Sequence, residues 1–141
     1  MNLNGNMEKF GLDTSVVMRL LTADPPEQAK AALQFVRDLH LRGEPAQVSD
    51  QTVSEAYFAL HHHYGIAKTD ALAQLLNFLE SGIVREVRGG MARKALHATM
   101  SSVNKPGFVD RLIHAQYRKA SRRLVTFEKA SKRLVGTVLL K

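Results

Sequence analysis

The chain has 141 residues, of which 45% are apolar and 23% charged, and this is enough to bury the core of one domain. It contains no cysteine, which excludes disulfides, zinc–thiolate sites and thiol catalysis and fits a reducing cytoplasm. The net charge of +7 favours an anionic partner, nucleic acid above all, although a solvated basic surface is the alternative.

No segment approaches the ~20 consecutive apolar residues of a membrane span, so we expect no membrane association. Residues 1–9 are polar and lack the apolar stretch of a secretory signal. We therefore expect a flexible leader over residues 1–9, then one domain over residues 10–141, in a cytoplasmic protein.

The first half of the chain alternates strand and helix patterns. The apolar, β-branched run "FGLDTSVV" at residues 10–17 predicts a buried strand that feeds a helix over residues 18–22. After the break at "ADPPEQ", Pro26 suits a helix start, and helical spacing continues over residues 28–41. The pattern then predicts a strand over residues 45–49 and a helix over residues 53–64, capped by Ser49 or Asp50.

The second half continues the alternation. It predicts helices over residues 70–79 (capped by Thr69), 91–100, 108–120 and 129–134. It predicts strands over residues 82–90, 122–127 and 137–140, with a turn at "NKPG", residues 104–107. Strands that alternate with helices indicate an α/β domain with a mostly parallel sheet, and such sheets bind ligands at the carboxyl ends of their strands.

Several kinds of site are excluded by their missing motifs. Gly89 and Gly90 lack the spacing of a phosphate-binding loop, and the sequence has no GxSxG nucleophile elbow. The run "HHH" at residues 61–63 is not a metal motif, because adjacent helical residues diverge by ~100°. We interpret it as a polar helix end, where protonated histidine suits the dipole, with weak contact to RNA phosphates as the alternative.

Four carboxylates stand at predicted element boundaries: Asp13, Glu55, Asp110 and Glu128. If the sheet is parallel, strand ends and the helix starts that follow them share one edge, so these side chains would gather there. A cluster of carboxylates needs a cation, and oxygen ligands prefer Mg²⁺ or Mn²⁺. Beside a basic surface, a bound divalent ion suits phosphodiester hydrolysis.

Each carboxylate also has a purely structural interpretation. Asp13 suits a helix cap, and Asp110 suits the positive end of a helix dipole. Glu55 points away from its helix's apolar stripe, so periodicity alone makes it solvent-facing. Glu128 suits a loop. The residues by themselves leave both interpretations open.

Four motifs in this order, "LDTSVVMRLL", "VSEAYFAL", "FVDRLIHA" and "LVTFEKASKRL", span nearly the whole chain. Together they resemble the PIN-domain ribonucleases, and among these the VapC-type toxins of toxin–antitoxin pairs. The resemblance implies a Rossmann-like three-layer domain with a mostly parallel central sheet flanked by helices. It also implies a site for Mg²⁺ or Mn²⁺ and endonucleolytic cleavage of RNA.

Carried over by position, the resemblance makes Asp13, Glu55 and Asp110 metal ligands and catalytic residues, and Glu128 a fourth metal ligand. Ser15 and Thr126 match hydroxyl residues that orient carboxylates or water. The chain departs from the family at four places. Glu128 stands for the usual Asp and Arg111 for a small residue. Gly107 replaces an acid, and Ala130 and Ser131 stand where many members carry a further Asp and an aromatic residue.

The resemblance and the charge together give the expected partners. Basic side chains are expected to guide the RNA backbone, and these are Arg111, Arg118, Lys119, Arg122 and Lys129. A VapC-like toxin would form a homodimer and bind an antitoxin protein. The departures near Glu128 motivate an alternative, in which the chain is an RNA-binding or partner-binding module with a degraded metal site.

Overall fold

The computed structural model describes residues 9–102 and 105–141, which fall into two compact units, divided after Gly90. The predicted leader, residues 1–9, lies outside the described residues except for Lys9. In the described ranges, no helix combines the length and apolar character that crossing a membrane requires.

The first unit contains three short strands and four helices within its described residues. The elements are β1 (Gly11–Leu12), α1 (Thr14–Thr22), α2 (Pro26–Leu41), β2 (Ala46–Val48), α3 (Asp50–His62), α4 (Lys68–Glu80) and β3 (Val84–Glu86). The strands form a parallel sheet in the order β1-β2-β3, with Leu12 opposite Val48 and Val48 opposite Glu86. All three strands therefore end at one edge of the sheet.

Apolar faces of the helices close on this sheet and form the core of the first unit. Its most completely buried side chains are Val17, Val36, Leu39, Val48, Val53, Leu60, Leu72 and Leu75. They come from α1, α2, β2, α3 and α4, of which α2 and α3 follow the helical spacing read from the sequence. Removing this apolar surface from water is the main favourable contribution to folding of the unit.

The predicted strand over residues 10–17 is too long. The strand ends at Leu12, and the chain enters α1 at Thr14, because Asp13 has extended backbone and its carboxylate accepts the amide hydrogen bond of Val16. Val16 and Val17 are thus helical despite their β-branched side chains. A satisfied N-cap and the burial of Val17 outweigh local strand propensity.

Several helix boundaries agree with the sequence patterns, and one cap does not. Pro26 is the first residue of α2, and Ser49 caps α3 by accepting a hydrogen bond from Thr52 N. The helix predicted over residues 70–79 begins earlier, at Lys68, so that Thr69 lies inside its first turn and Ala67 is the N-cap. No side-chain hydrogen bond caps this helix.

The second unit has α5 (Ala92–Met100), α6 (Phe108–Lys119), β4 (Val125–Thr126), a 3₁₀ helix (Lys129–Arg133) and β5 (Val138–Leu139). β4 and β5 pair in parallel, with Val125 opposite Val138. Its core includes Leu96, Phe108, Leu112 and Leu124. The predicted strands over residues 122–127 and 137–140 are shorter than expected, and the turn at residues 104–107 is described only from Lys105 onward.

The α/β class is confirmed in its coarse form: helices predominate, and the strands are short and parallel. Within the described residues these strands form two small sheets, of three and two strands, instead of one sheet.

Candidate active site

Asp13 lies directly after β1 and is the N-cap of α1. Its Oδ1 accepts hydrogen bonds from the Ser15 hydroxyl (2.6 Å) and from Val16 N (3.1 Å). The pKa of the Asp13 carboxyl lies below its ordinary value. The hydrogen bond from the Ser15 hydroxyl contributes most to this lowering of the pKa and the bond from the Val16 amide comes next, whereas slight desolvation opposes it. The Asp13 side chain is thus both the cap of α1 and an ionised carboxylate at the sheet edge.

Glu55 lies in the second turn of α3, and its side chain is exposed, as its helical periodicity predicts. Although the side chain is exposed, its carboxylate has a hydrogen-bond partner. Oε1 accepts a 2.7 Å hydrogen bond from the hydroxyl of Thr14, the first residue of α1. Because Thr14 follows Asp13, this bond holds Glu55 beside the N-terminus of α1 and beside the first candidate ligand.

A buried threonine fixes α3 against β1. Thr52 is buried, and its hydroxyl donates to the backbone oxygen of Leu12 at 3.4 Å. The same hydroxyl accepts a 3.0 Å hydrogen bond from Ser49, the cap of α3. The N-terminus of α3 is therefore tied to the residue that precedes Asp13, which sets where Glu55 leaves the helix.

Two more acidic residues, which are not among the sequence-predicted ligands, lie at the same edge of the sheet. Asp50 is the first residue of α3, and Glu86 is the last residue of β3. The Asp50 carboxylate lies 3.3 Å from the point where a side chain at Gly90 would place its Cβ, so Gly90 leaves space beside it. Both acids stand at or just after the end of a parallel strand, and this position could have marked them as candidates for the site.

The remaining two candidate ligands lie in the second unit. Asp110 is exposed in the first turn of α6. Glu128 is exposed immediately before the 3₁₀ helix, and its backbone N donates a 2.9 Å hydrogen bond to the Thr126 hydroxyl. Thr126 therefore shapes the backbone that presents Glu128.

The basic side chains predicted to contact RNA differ in their hydrogen bonds within the protein. Arg111 bonds to Pro106 O (2.9 Å) and to the Ser102 hydroxyl (2.8 Å), so its guanidinium stabilises the connection that precedes α6. Arg122 makes longer bonds to the backbone oxygens of residues 120 and 121. Arg118, Lys119 and Lys129 are exposed.

The triple histidine forms a helix end, which agrees with the structural interpretation. His61 Nδ1 lies 2.9 Å from Ile66 O, beyond the end of α3. The ring of His62 packs on Phe58 one turn earlier, with centroids 4.2 Å apart. The rings of His61 and His62 therefore make local contacts that stabilise the C-terminal end of α3.

The donors at the sheet edge suit a hard divalent cation. Within residues 9–102 and 105–141, the hydrogen bonds to the two carboxylates use one oxygen of each, Oδ1 of Asp13 and Oε1 of Glu55, and leave the second as a candidate ligand atom. No group of three or more histidine, aspartate or glutamate side chains in these ranges is placed to hold a metal ion. Asp13 and Glu55 belong to the first unit, and Asp110 and Glu128 to the second.

Comparisons of the chain with models of protein families, with curated proteins and with solved structures found no match.

Proposed function

We propose that the protein is a metal-dependent endoribonuclease of the PIN-domain type and the toxin of a toxin–antitoxin pair. The observation that carries the proposal is the hydrogen bond from Thr14 to Glu55, which holds a second carboxylate beside Asp13 at the carboxyl edge of a parallel sheet. Open parallel sheets bind their ligands at this edge.

Asp13 and Glu55 would hold Mg²⁺ or Mn²⁺, with Asp110 and Glu128 as further ligands on the strength of the resemblance. A divalent ion there would supply an acidified water molecule and positive charge for a phosphate that gains negative charge during attack. Asp13 keeps its carboxylate ionised through the hydrogen bonds of Ser15 and Val16. Thr14 fixes the orientation of Glu55, as partners of metal ligands commonly do.

The charge distribution supports a polyanionic substrate. Residues 105–141 contain ten of the twenty lysines and arginines but only two of the thirteen acidic residues, which gives this segment a net charge of +8. Residues 1–104 carry a net charge of −1. A segment with this excess of positive charge favours the binding of a polyanion such as RNA.

The proposal includes the partners and the location that the resemblance implies. The chain would act as a homodimer in the cytoplasm, and an antitoxin would neutralise it. A neighbouring gene that encodes a small DNA-binding protein, together with co-purification of the two proteins, would support the antitoxin part of the proposal. Their absence would leave a ribonuclease outside a toxin–antitoxin pair.

The test is cleavage of a labelled, structured RNA by purified protein with Mn²⁺. We expect the wild type to cut and Asp13→Asn to be inactive. This variant is preferred to Asp13→Ala, because asparagine also caps a helix and preserves α1. Asp38→Asn, at an exposed position on α2, is the matched control and should cut like the wild type. Equal cutting by wild type and Asp13→Asn would reject the assignment.

Calorimetry with Mn²⁺ separates the nuclease from the alternative of an RNA-binding or partner-binding module. The nuclease predicts metal binding that is lost in the double variant Asp13→Asn/Glu55→Gln. RNA binding by the wild type without any metal binding would favour the module instead.

A further inference from the structure

We propose that Phe127, Lys129 and Lys132 form a platform for single-stranded RNA, on which one base stacks on the Phe127 ring and the two lysines bind neighbouring phosphates. We call these three residues the Phe127 platform. The proposal rests on the proposed ribonuclease function and specifies the form in which the substrate is bound.

Phe127 is 69% exposed and lies between β4 and the 3₁₀ helix. Its backbone is held on both sides. Leu140 N donates to Thr126 O at 2.8 Å in the β4–β5 ladder, and Glu128 N donates to the Thr126 hydroxyl at 2.9 Å. An aromatic ring on a fixed backbone loses little conformational freedom when it binds, and every nucleobase offers a flat face for stacking.

A single exposed phenylalanine is common on protein surfaces, and two neighbouring lysines distinguish Phe127 from such a residue. Lys129 and Lys132 are three residues apart in the 3₁₀ helix, where residues i and i+3 project on the same side. With a rise of about 2 Å per residue, their backbones stand about 6 Å apart along the helix, so two flexible ammonium groups are presented side by side to a phosphate backbone.

The two lysines also differ from the arginines around them. Arg123 donates to Gly136 O at 2.8 Å and Arg133 donates to Lys105 O at 3.3 Å, so these guanidinium groups stabilise the fold of the second unit. Lys129 and Lys132 are exposed and form no hydrogen bond or ion pair with any residue in the described part of the chain. Their ammonium groups are available to phosphates without breaking an internal contact.

The platform favours single-stranded RNA over a duplex. A base can stack on Phe127 only when it is not already stacked and paired within a helix. The net charge of +8 over residues 105–141 attracts the backbone of either form, so preference between the two depends on the ring. Glu128, one of the two acids in this segment and a candidate metal ligand, stands between Phe127 and Lys129 in the sequence.

The test is fluorescence anisotropy with a short labelled RNA of unstructured sequence and with the same RNA in a duplex, in EDTA so that no cleavage occurs. We expect tighter binding of the single strand. Phe127→Ala should weaken that binding about tenfold, the typical effect of losing one stacked base. Lys129→Ala/Lys132→Ala should lower the dependence of log K on log salt by about 1.4.

Matched variants control for surface charge and apolar area. Lys30→Ala/Lys68→Ala removes two exposed lysines of the first unit, and Val135→Ala trims an exposed apolar side chain of the second; both should bind like the wild type. Phe127→Trp should retain binding. Because the chain has no other tryptophan, its fluorescence reports stacking directly and should be quenched by the single strand.

The outcomes separate this proposal from the proposed function. Unchanged binding by Phe127→Ala, equal affinity for duplex, or unquenched Phe127→Trp fluorescence would overturn the platform, whether or not the protein cleaves RNA. Self-association that is lost in Phe127→Ala, with RNA affinity unchanged, would make the surface a protein interface instead. Binding through Phe127 without Mn²⁺-dependent cleavage would overturn the ribonuclease and retain the single-stranded RNA platform.

Discussion

The hydroxyl of Thr14 donates a 2.7 Å hydrogen bond to the carboxylate of Glu55, across a sequence separation of 41 residues. The bond joins the first residue of α1 to the second turn of α3. It brings Glu55 to the residue next to Asp13, whose own carboxylate caps α1. Glu55 of α3 is therefore tied, through Thr14, to the N-terminus of α1 that Asp13 caps, at one edge of the parallel sheet.

Thr14→Val should weaken Mn²⁺ binding and RNA cleavage by about tenfold, because partners that orient metal ligands have effects of this size. The free energy of unfolding should fall by about 1 kcal/mol or less, since the lost hydrogen bond is exposed. Thr14→Ser keeps the hydroxyl and should restore both properties. Calorimetry and cleavage rates measure the effect, and equal metal affinity in Thr14→Val and wild type would contradict it.

Asp13→Ala and Asp13→Asn should differ in stability but not in activity. Alanine removes the cap of α1 and should lower the free energy of unfolding by about 1 kcal/mol, whereas asparagine still caps the helix. Both variants remove the charge and should be inactive. Urea denaturation with a cleavage assay tests this pair. If Asp13→Asn cleaved normally, Asp13 would be a cap alone.

Ser15→Ala should raise the pKa of Asp13 towards its ordinary value of 3.8, because the Ser15 hydroxyl is the main cause of the lowered pKa. A lowered folded-state pKa stabilises the fold above the ordinary value, and this contribution is lost as the pH falls through the folded pKa. The stability deficit of Ser15→Ala should thus be present at neutral pH and shrink in acid. Carboxyl NMR titration and urea denaturation across pH measure both effects.

Leu60→Ala should lower the free energy of unfolding by about 2–5 kcal/mol, because Leu60 is 0% exposed and truncation leaves a cavity against α3. Leu41→Ala is the matched control at a position that is 75% exposed, and it should change stability by less than about 0.5 kcal/mol. Thermal or urea unfolding compares the two variants. Similar losses in both would show that α3 does not pack as described.

Local sequence patterns predicted much of the fold. Pro26, Ser49 and the helix spacing of residues 53–64 act within one or two turns, so their effects are visible in a single segment. The strand that the sequence predicts over residues 10–17 is too long. Val16 and Val17 favour strands locally, but the Asp13 cap and the burial of Val17 make them helical. The residue type of Thr69 predicts a cap, but helix α4 begins one residue before it.

The sequence by itself determined the order of strands and helices, the acidic residues at their boundaries and the basic charge of the chain. Only the tertiary structure decided that Glu55, solvent-facing on its own helix, accepts a hydrogen bond from Thr14, and that Arg111 binds Pro106 O and Ser102. Capping and periodicity depend on neighbours a few residues apart. Contacts between side chains that are far apart in the sequence depend on strand register and helix packing, which only the whole fold sets.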